Sequence, residues 1–519
     1  MRMRPVLSAT LLFGLTALTL ILLRPLMPVD ETRYVAAAWE MHVGESPWVP
    51  HLNGAIYGHK PPLLFWLINL VWAVVGVDAF AARLVGPAFA TACVAMTGLL
   101  ALRLWPDRPA RGGAAALILA VSPVWLLFGS TTMFDAMLTA ATLLAMMALW
   151  SAARRPRRGT WVALGMAVAL GVYAKGPVIL IHVLPVALSM PLWAGPDRPS
   201  ARQWADGLAQ ALAVALVAVG LWLVPALILG GPEYRTEVLW RQSGGRMVAS
   251  FAHRKPWWFY AALLPAMIWP FGWTGAGFGD LRPRRLWADP GTRLAAVWAM
   301  GAFVAFSVIS GKQAHYLLPE LPALALLLSG GLPARRWTRR DLWLAAPVIG
   351  LILASLAAGA GFIPALARLG DPLPLWSLAL GGLCALTGLA AFLRLRAPVM
   401  ALAALPLALA LMIGLHLGLS PLLFARYDMT DLGRAVAPHD TAGIAVTDGT
   451  YHAQLNFAGR LLNPVAHLSD DAVAGWLRDH PGGVLLDQTD RPFPGMTPVL
   501  RLPFRDRTYT LHRSQEVAP

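Results

Sequence analysis

Long uncharged apolar runs recur along most of this 519-residue chain, and they constrain its fold more than any other feature. A helix needs roughly 20 apolar residues to cross about 30 Å of hydrocarbon, and here 57% of the residues are hydrophobic while 13% are charged. We therefore predict a polytopic α-helical membrane protein with about thirteen transmembrane helices. The predicted spans are residues 5–27, 80–104, 112–130, 135–152, 159–174, 177–195, 206–230, 257–276, 292–310, 314–331, 341–364, 374–393 and 398–424.

The arginines predict the orientation of these helices. Short loops rich in Lys and Arg stay in the cytoplasm, and alternation of thirteen spans puts arginine-rich loops such as 154–158 and 335–340 on one side. The N-terminus is then cytoplasmic, and the loop 28–79 lies outside. Counting the apolar segment 61–76 as a span would place the 154–158 cluster outside, so we predict a juxtamembrane helix at the outer interface instead.

The C-terminal part differs in character from the rest. Short β-like runs alternate with polar turns after residue 425, and Ser469 is placed to cap a helix over 470–479. We predict a transmembrane domain over 1–425, with 28–79 as its outer catalytic loop, and a small α/β domain over 426–519 that covers the outer end as a lid. The predicted strands are 443–447, 483–486, 498–503 and 508–512.

The formal net charge of +15 does not call for a nucleic-acid partner. Roughly half of the cations are arginines in the predicted cytoplasmic loops, and no recognised nucleic-acid motif is present. Cys93 and Cys384 both fall inside predicted spans, where they are expected to be small core residues.

The stretch from Asp30 to Pro62 carries a density of charges that is costly beside a bilayer unless it is used. The four lysines of the chain, Lys60, Lys175, Lys255 and Lys312, fall on the predicted outer face. Either their loops converge on one anion, or their placement reflects a GC-rich genome and chance. A carboxylate beside such cations suits transfer of a group from a lipid phosphate: the cations stabilise the departing phosphate, and the carboxylate deprotonates the attacking hydroxyl.

Several motifs follow one another in an informative order. They are Asp30-Glu31-Thr32-Arg33-Tyr34, Leu52-Asn53-Gly54, Lys60-Pro61-Pro62-Leu63-Leu64, Ala81-Ala82-Arg83-Leu84, Asp135, Lys175-Gly176-Pro177, Gly311-Lys312 and His315-Tyr316-Leu317-Leu318-Pro319. Over its first 330 residues the chain resembles the C-type (GT-C) membrane glycosyltransferases, in particular the bacterial aminoarabinose-to-lipid-A transferases and the protein O-mannosyltransferases. The resemblance implies a polyprenyl-phosphate-linked sugar as donor and inversion at the anomeric carbon.

The resemblance also implies roles for individual residues. Asp30 is the expected catalytic carboxylate, with Glu31 as its neighbour, and Asp135 is expected to orient a cation or a metal. Alternatively, Asp30 is a turn residue and Asp135 an N-cap with a structural role alone.

A second group of residues is expected to contact the donor phosphate. The group comprises Lys60, Arg33, Tyr34, Arg246, Arg254, Lys312 and Tyr316. Four of them have simpler alternatives: Arg33 pairs with Glu31 or Glu40, Lys60 snorkels at the interface, and the loop arginines Arg246 and Arg254 are solvated.

One position departs from the family pattern. The aminoarabinose transferases carry a glutamate immediately before Lys-Pro-Pro, whereas this chain has His59. With His253 it would form a two-histidine site for zinc or manganese, or the two are pH-sensitive hydrogen-bonding residues. The departure leaves the donor sugar open.

These observations predict an inverting glycosyltransferase in the bacterial inner membrane. It would move a sugar from a polyprenyl phosphate, expected to be undecaprenyl phosphate, to a lipid, glycan or protein acceptor of the cell envelope, with lipid A modification as one possibility. The alternative is a transporter or flippase of lipid-linked glycans, although such a protein should carry polar residues near the bilayer midplane.

Overall fold

The fold was obtained as a computed structural model of the whole chain. It describes residues 3–44, 46–239, 254–274, 276–331, 338–363, 374–394, 400–447, 451–488, 493, 496–504 and 507–514.

Most of the described chain forms long apolar helices, as expected of a multi-pass membrane protein. Nine helical segments of the described residues are long and apolar enough to cross a membrane, or ten if one bent pair is counted as a single span. They are Arg4–Leu22, Ala79–Leu104, Asp135–Arg154, Arg158–Leu188, Ala201–Leu229, Pro290–Val308, Arg339–Gly359, Leu375–Arg394 and Leu402–Leu419.

The predicted number of thirteen spans is not confirmed, and the differences are local. The predicted span 112–130 is the bent pair Ala110–Ala120 and Pro123–Gly129, whose axes differ by 63°. The predicted spans 159–174 and 177–195 fall largely in the single segment Arg158–Leu188. Two further predicted spans are represented by the shorter helices Phe259–Ile268 and Ala314–Leu328. Apolar runs reveal where a chain is buried, but not where a helix bends or stops.

The helix Asp135–Arg154 lies at the centre of the membrane part. Of its most apolar stretch, 89% is buried inside the protein, compared with 22% for Ala201–Leu229 at the periphery. Its residues share one hydrophobic core with the helices Arg4–Leu22 and Ala79–Leu104. Asp135, the first residue of this helix, is itself buried at 2% exposure.

The segment between the first two spans forms a compact group of short elements. The helix Asp30–Val43 is followed by the strands His51–Leu52 and Ala55–Ile56, which pair in antiparallel fashion, and by the helix Leu63–Val75. The last of these matches the predicted juxtamembrane helix. Asn69 joins the two helices by donating from Nδ2 to the Ala38 carbonyl at 3.0 Å.

The end of the chain forms a small mixed sheet. Its five described strands run in the order Ala466–His467, Ile444–Val446, Val484–Asp487, Arg507–Ser514 and Met496–Phe504. The first three are parallel, and the last two join in antiparallel fashion. All four predicted strands are present, whereas the two-residue strand Ala466–His467 was too short to predict. The predicted helix is a 3₁₀ turn, Asp470–Ala472, leading into the helix Val473–Asp479.

The remaining described helices are short connections. They are Met190–Trp193, Gly231–Arg235, Pro283–Ala288 and Thr430–Val436. Whether residues 1–425 and 426–519 form separate domains stays a prediction.

Candidate active site

Asp30 is the first residue of the helix Asp30–Val43. Half of its side chain is exposed, and Oδ1 accepts a hydrogen bond from the Tyr34 hydroxyl at 3.2 Å. Arg33 lies on the same side, with a guanidinium nitrogen 3.9 Å from that oxygen. The pairing expected of Arg33 with Glu31 or Glu40 is thus replaced by one with Asp30. A ligand can therefore reach the Asp30 carboxylate.

Glu31 points the other way and is buried, at 2% exposure. Its carboxylate pairs with Arg24 and accepts the Thr132 N–H at 2.7 Å. Burial alone would raise the pKa of Glu31, but Arg24 and the Thr132 amide together hold that pKa below its ordinary value. Glu31 therefore joins the helix of Asp30 to the turn that precedes Asp135.

Asp135 and Lys175 form a buried ion pair. The Lys175 Nζ donates to Asp135 Oδ1 at 2.6 Å, with the side chains 13% and 3% exposed. Lys175 ends its helix, and Gly176 follows with φ of +76°, a conformation that side chains disfavour. The Lys175-Gly176 sequence thus lets the backbone turn away directly after the cation. Asp135 is not the N-cap of its helix, since Phe134 occupies that position.

Lys60 approaches the same place from the segment that precedes the helix Leu63–Val75. Its ammonium lies 5.8 Å from the ring centre of Tyr34 and 5.6 Å from that of Phe134. Tyr34 and Phe134 themselves meet edge to face at 4.8 Å. Burial raises the pKa of Tyr34 well above its ordinary value, with Asp30 adding to the effect, so this phenol remains a hydrogen-bond donor.

Tyr316 and His315 complete a cluster whose other members are Asp30, Tyr34, Lys60, Asp135 and Lys175. The Lys175 ammonium lies 4.9 Å from the Tyr316 ring centre, and the His315 and Tyr316 rings meet at 5.0 Å. His315 lies within electrostatic range of Asp135, Lys175, Asp30 and Lys60. Lys175 and the His315-Tyr316 pair, which lie far apart in sequence, are thus both close to Asp135.

Lys312 and Arg254 lie in a neighbouring group. The Lys312 ammonium donates to the backbone carbonyls of Lys255 and Ile309, and Arg254 pairs with Gly311 through an antiparallel bridge. Lys312 thus contacts the segment of Lys255, whereas Lys60 lies beside Tyr34 and Phe134, and Lys175 beside Asp135 and Tyr316. Arg246 lies outside the described residues, so its expected role stays a prediction.

Of the two histidines of the expected metal site, His59 lies in the described part of the chain. The His59 Nε2 lies 3.6 Å from a carboxylate oxygen of Glu237, and half of the His59 side chain is exposed. His253 lies outside the described residues. Among the described residues, no group of three or more His, Cys, Asp and Glu side chains is arranged to hold a metal ion. Zinc or manganese binding at His59 and His253 stays a prediction.

Two members of the cluster were absent from our expected site residues. Lys175 and His315 both belong to motifs that the sequence displays, Lys175-Gly176-Pro177 and Gly311-Lys312-Gln313-Ala314-His315-Tyr316. Lys175 was identifiable as a lone cation at the end of an apolar helix. The pairing of Lys175 with Asp135 could not be predicted, because the two residues lie on different helices.

Chemically, the arrangement combines a reachable carboxylate with cations held in place. The Lys175 side chain is 13% exposed, and an anion is bound more strongly in such low-dielectric surroundings than in water, while Lys60 adds a second positive charge beside Tyr34 and Phe134. The Asp30 side chain is half exposed, so its carboxylate can accept a proton from an incoming group. An anionic group bound between the lysines would meet Asp30, Arg33 and Tyr34 on one side.

The sequence is similar to those of known sugar transferases. Residues 59–227 match the family described as dolichyl-phosphate-mannose-protein mannosyltransferase. The undecaprenyl phosphate-α-4-amino-4-deoxy-L-arabinose arabinosyl transferase of Pseudomonas paraeruginosa is 33% identical over 319 residues, which are 59% of this chain and 55% of that protein. One such transferase of Pseudomonas fluorescens is 30% identical over 58% of this chain and 52% of its own length. The chain thus spans about half the length of the curated relatives it matches.

Solved structures show the likeness over the whole fold. The crystal structure of ArnT from Cupriavidus metallidurans bound to undecaprenyl phosphate superposes with a TM-score of 0.78, at 19% identity, over 99% of this chain and 98% of that one. Its apo state gives a TM-score of 0.75 at 18% identity, over 98% and 97% of the two chains. At these identities the likeness establishes a common fold. The chain therefore has the fold of the C-type membrane glycosyltransferases and resembles their aminoarabinose transferases in sequence.

Proposed function

We propose that this protein is an inverting glycosyltransferase that moves a sugar from a polyprenyl phosphate to an acceptor at the outer face of the bacterial inner membrane. The observation that carries the proposal is that Tyr34 and Phe134, whose rings meet, bring Asp30, Lys60 and the Asp135–Lys175 ion pair into one region. The matched relatives, named for undecaprenyl phosphate aminoarabinose, favour undecaprenyl phosphate as the lipid.

In this proposal the lysines hold the donor phosphate. Lys60 lies beside the rings of Tyr34 and Phe134, and Lys175 is held by Asp135. As the bond between the anomeric carbon and the phosphate oxygen breaks, its electron pair passes to that oxygen. Fixed cations stabilise this charge without having to reorganise. Arg33 and Tyr34 extend the site towards Asp30.

The acceptor attacks the anomeric carbon from the opposite side, which inverts its configuration. If the acceptor is a hydroxyl, its proton passes to Asp30 as the new carbon–oxygen bond forms. If the acceptor is already an anionic phosphate, no proton has to be removed, and Asp30 instead positions Arg33 and the sugar. Glu31 acts through its ion pair with Arg24 and its bond to Thr132, which set the spacing between Asp30 and Asp135.

The test is transfer of radiolabelled sugar by the purified protein in lipid. A panel of synthetic polyprenyl-phosphate sugars, including aminoarabinose, is offered to the wild type, Asp30→Asn and Lys60→Ala. Asp431→Asn is the matched control, since that carboxylate lies on the surface and is 78% exposed. We expect transfer or donor hydrolysis by the wild type and the control, loss in Lys60→Ala with every acceptor, and loss in Asp30→Asn with a hydroxyl acceptor.

Two other results would overturn the proposal. Consumption of no donor, together with passage of labelled lipid across the bilayer, would indicate a transporter. Full activity of both Asp30→Asn and Lys60→Ala would remove the proposed site.

A further inference from the structure

The Leu52-Asn53-Gly54 motif forms a tight turn that lies apart from the proposed reacting groups. His51 pairs with Ile56 and Leu52 with Ala55, which leaves a two-residue loop of Asn53 and Gly54 with φ of 54° and 76°. Positive φ at both positions is the geometry of a type I′ hairpin, for which Asn-Gly is a strongly preferred sequence. The backbone requirement explains these residue types, but not what the Asn53 side chain contacts.

The Asn53 side chain binds the C-terminal part of the chain. It accepts the Val465 N–H at 2.8 Å and donates to the Val465 carbonyl at 2.9 Å, in the manner of a paired strand. Asn456 Nδ2 donates to Asn53 Oδ1 at 3.2 Å. A Cβ at Gly54 would lie 2.6 Å from Cγ of Pro464, so the turn packs closely on that segment.

Glu40 closes the same group from the helix Asp30–Val43. Its carboxylate accepts the backbone N–H groups of Asn53 and Gly54, the second at 3.0 Å, and the Asn456 side chain at 3.4 Å. Glu40, Asn53 and Asn456 thus form a three-residue lock that connects the helix, the hairpin and the C-terminal part. Asn456 is 2% exposed, and protein groups satisfy its amide: Nδ2 donates to Glu40 and Asn53, and Oδ1 accepts the Tyr451 hydroxyl at 2.5 Å.

Aromatic contacts reinforce the lock on one side. The Trp39 indole N–H donates to the Leu461 carbonyl at 2.9 Å. Trp72 of the juxtamembrane helix stacks on Phe457 with ring centres 5.4 Å apart and planes 3° from parallel. Phe457 and Ala453 lie in the same hydrophobic cluster as the helix Asp30–Val43.

The lock is mechanically connected to the proposed reacting groups. Asp30 and Glu40 belong to one helix, and a rise of 1.5 Å per residue puts them about 15 Å apart on a stiff rod. Lys60 follows the hairpin closely, and the Tyr57 N–H donates to the Pro50 carbonyl at 2.8 Å across the base of the hairpin. A shift at Asn53 would therefore change the distance between Asp30 and Lys60.

We propose that Glu40, Asn53 and Asn456 are positioning residues, which fix the C-terminal residues 453–465 against the hairpin and the helix Asp30–Val43 and set the spacing of Asp30 and Lys60. This inference rests on the proposed glycosyl transfer and names the part that the Leu-Asn-Gly hairpin plays in it. It replaces the expectation of a lid, because a lid would have to break a group of partly buried side-chain hydrogen bonds and a stacked aromatic pair in each cycle.

The test compares variants that loosen the lock without touching the proposed catalytic groups. Asn456→Ala removes the bonds to both Asn53 and Glu40, and Asn53→Gly keeps the turn backbone while removing its side chain. Trp39→Phe is the mild second variant, since it loses the indole N–H and keeps the ring. Arg434→Ala is the control, because its surface ion pair with Asp431 leaves it 73% exposed.

Three quantities are measured on each purified variant in lipid. Hydrogen exchange reports the Asn53 and Gly54 amides, which donate to Glu40. Steady-state kinetics separate kcat from the donor KM. Pulsed electron spin distances between labels at Arg434→Cys and Val74→Cys, both exposed positions, report whether the C-terminal segment moves when undecaprenyl phosphate is added.

We expect faster exchange of both amides in Asn456→Ala and Asn53→Gly, with kcat lowered about 10- to 100-fold, as misplacement of about 1 Å does. The donor KM should stay within about threefold, because the groups that bind phosphate remain. Trp39→Phe should show the same pattern more weakly, and the control none. The label distance should be a single population that the lipid leaves unchanged.

A structural role alone would instead lower the melting temperature and leave kcat unchanged in the folded fraction, and that result would overturn the inference. A second label distance that grows with added lipid would restore the lid. If the wild type consumes no donor, the proposed transfer fails, while exchange and label distances still decide whether the lock is fixed.

Discussion

Lys175 Nζ lies 2.6 Å from Asp135 Oδ1, and this ion pair joins the start of one buried helix to the end of the next. Neither charge lies on the surface, so each depends on the other. A charge left alone in such surroundings is costly, whereas a neutral pair of similar shape is not. This relationship allows the contributions of structure and catalysis to be separated by mutation.

The first prediction concerns that separation. Lys175→Met or Asp135→Asn alone should destabilise the protein by about 3–5 kcal/mol, because the remaining charge is buried without its partner. The double variant should recover most of the stability, yet its sugar transfer should stay at least about 100-fold below wild type because the cation is gone. Thermal unfolding and transfer assays of all four proteins measure this. Recovery of activity in the double variant would assign the pair a structural role only.

The second prediction concerns Asp30. With a hydroxyl acceptor, Asp30→Asn should lower kcat by about 10²–10⁴-fold, the range typical of a lost general base. Stability should change by less than about 0.5 kcal/mol, because half of the side chain is exposed. Donor affinity should hold. The same variant assayed with a phosphate acceptor should lose much less, so the ratio between the two acceptors measures how far Asp30 acts as a base.

The third prediction contrasts two lysines. Lys60→Ala should weaken undecaprenyl phosphate binding by about 10- to 100-fold, since hydrogen bonds to charged groups contribute about 1.5–3 kcal/mol. Lys312→Ala should chiefly lower the melting temperature, because its ammonium binds the backbone carbonyls of Lys255 and Ile309. Equilibrium binding of the lipid and thermal unfolding distinguish the two. Equal loss of lipid affinity in both variants would extend the phosphate site to Lys312.

The fourth prediction concerns pH. The pKa of Glu31 is lowered in the folded protein, so its ion pair with Arg24 contributes stability above the ordinary carboxyl pKa of about 4.5 and loses it as pH falls further. Glu31→Gln should therefore be less stable than wild type at pH 7. The difference in melting temperature should shrink only below about pH 4.5. A difference that is constant down to pH 3 would show that the Glu31 charge is not what stabilises the pair.

Glu40 should behave in the opposite way. Burial raises its pKa, against the Asn53 and Gly54 amides that lower it, so its protonation favours the folded state. Its contribution is fully present below the ordinary carboxyl pKa and is lost as pH rises through the raised value. Glu40→Gln should accordingly gain stability relative to wild type as pH rises. Melting curves between pH 4 and pH 8 show whether the stability of Glu40→Gln rises relative to that of the wild type.

Much of the candidate site could be predicted from short motifs. Asp30, Lys60 and Asp135 were recognisable as charges beside apolar runs, and their order along the chain indicated the family. The orientation of Glu31 was not predictable, because adjacent helical residues point about 100° apart and the sequence does not show which one faces the cavity. Likewise, two of the four lysines contact the cluster while Lys312 binds backbone carbonyls.

The sequence by itself determined the membrane-spanning class, the juxtamembrane helix and the strands of the C-terminal sheet. These follow from the hydrophobicity of long runs and from local alternation, which act over a few residues. The tertiary structure alone decided which charges meet: Lys175 with Asp135, Glu31 with Arg24, and Asn53 with Val465 across more than 400 positions. Such pairs depend on how the helices bend and pack. Hydrophobic patterns do not show which distant polar groups will form hydrogen bonds or ion pairs.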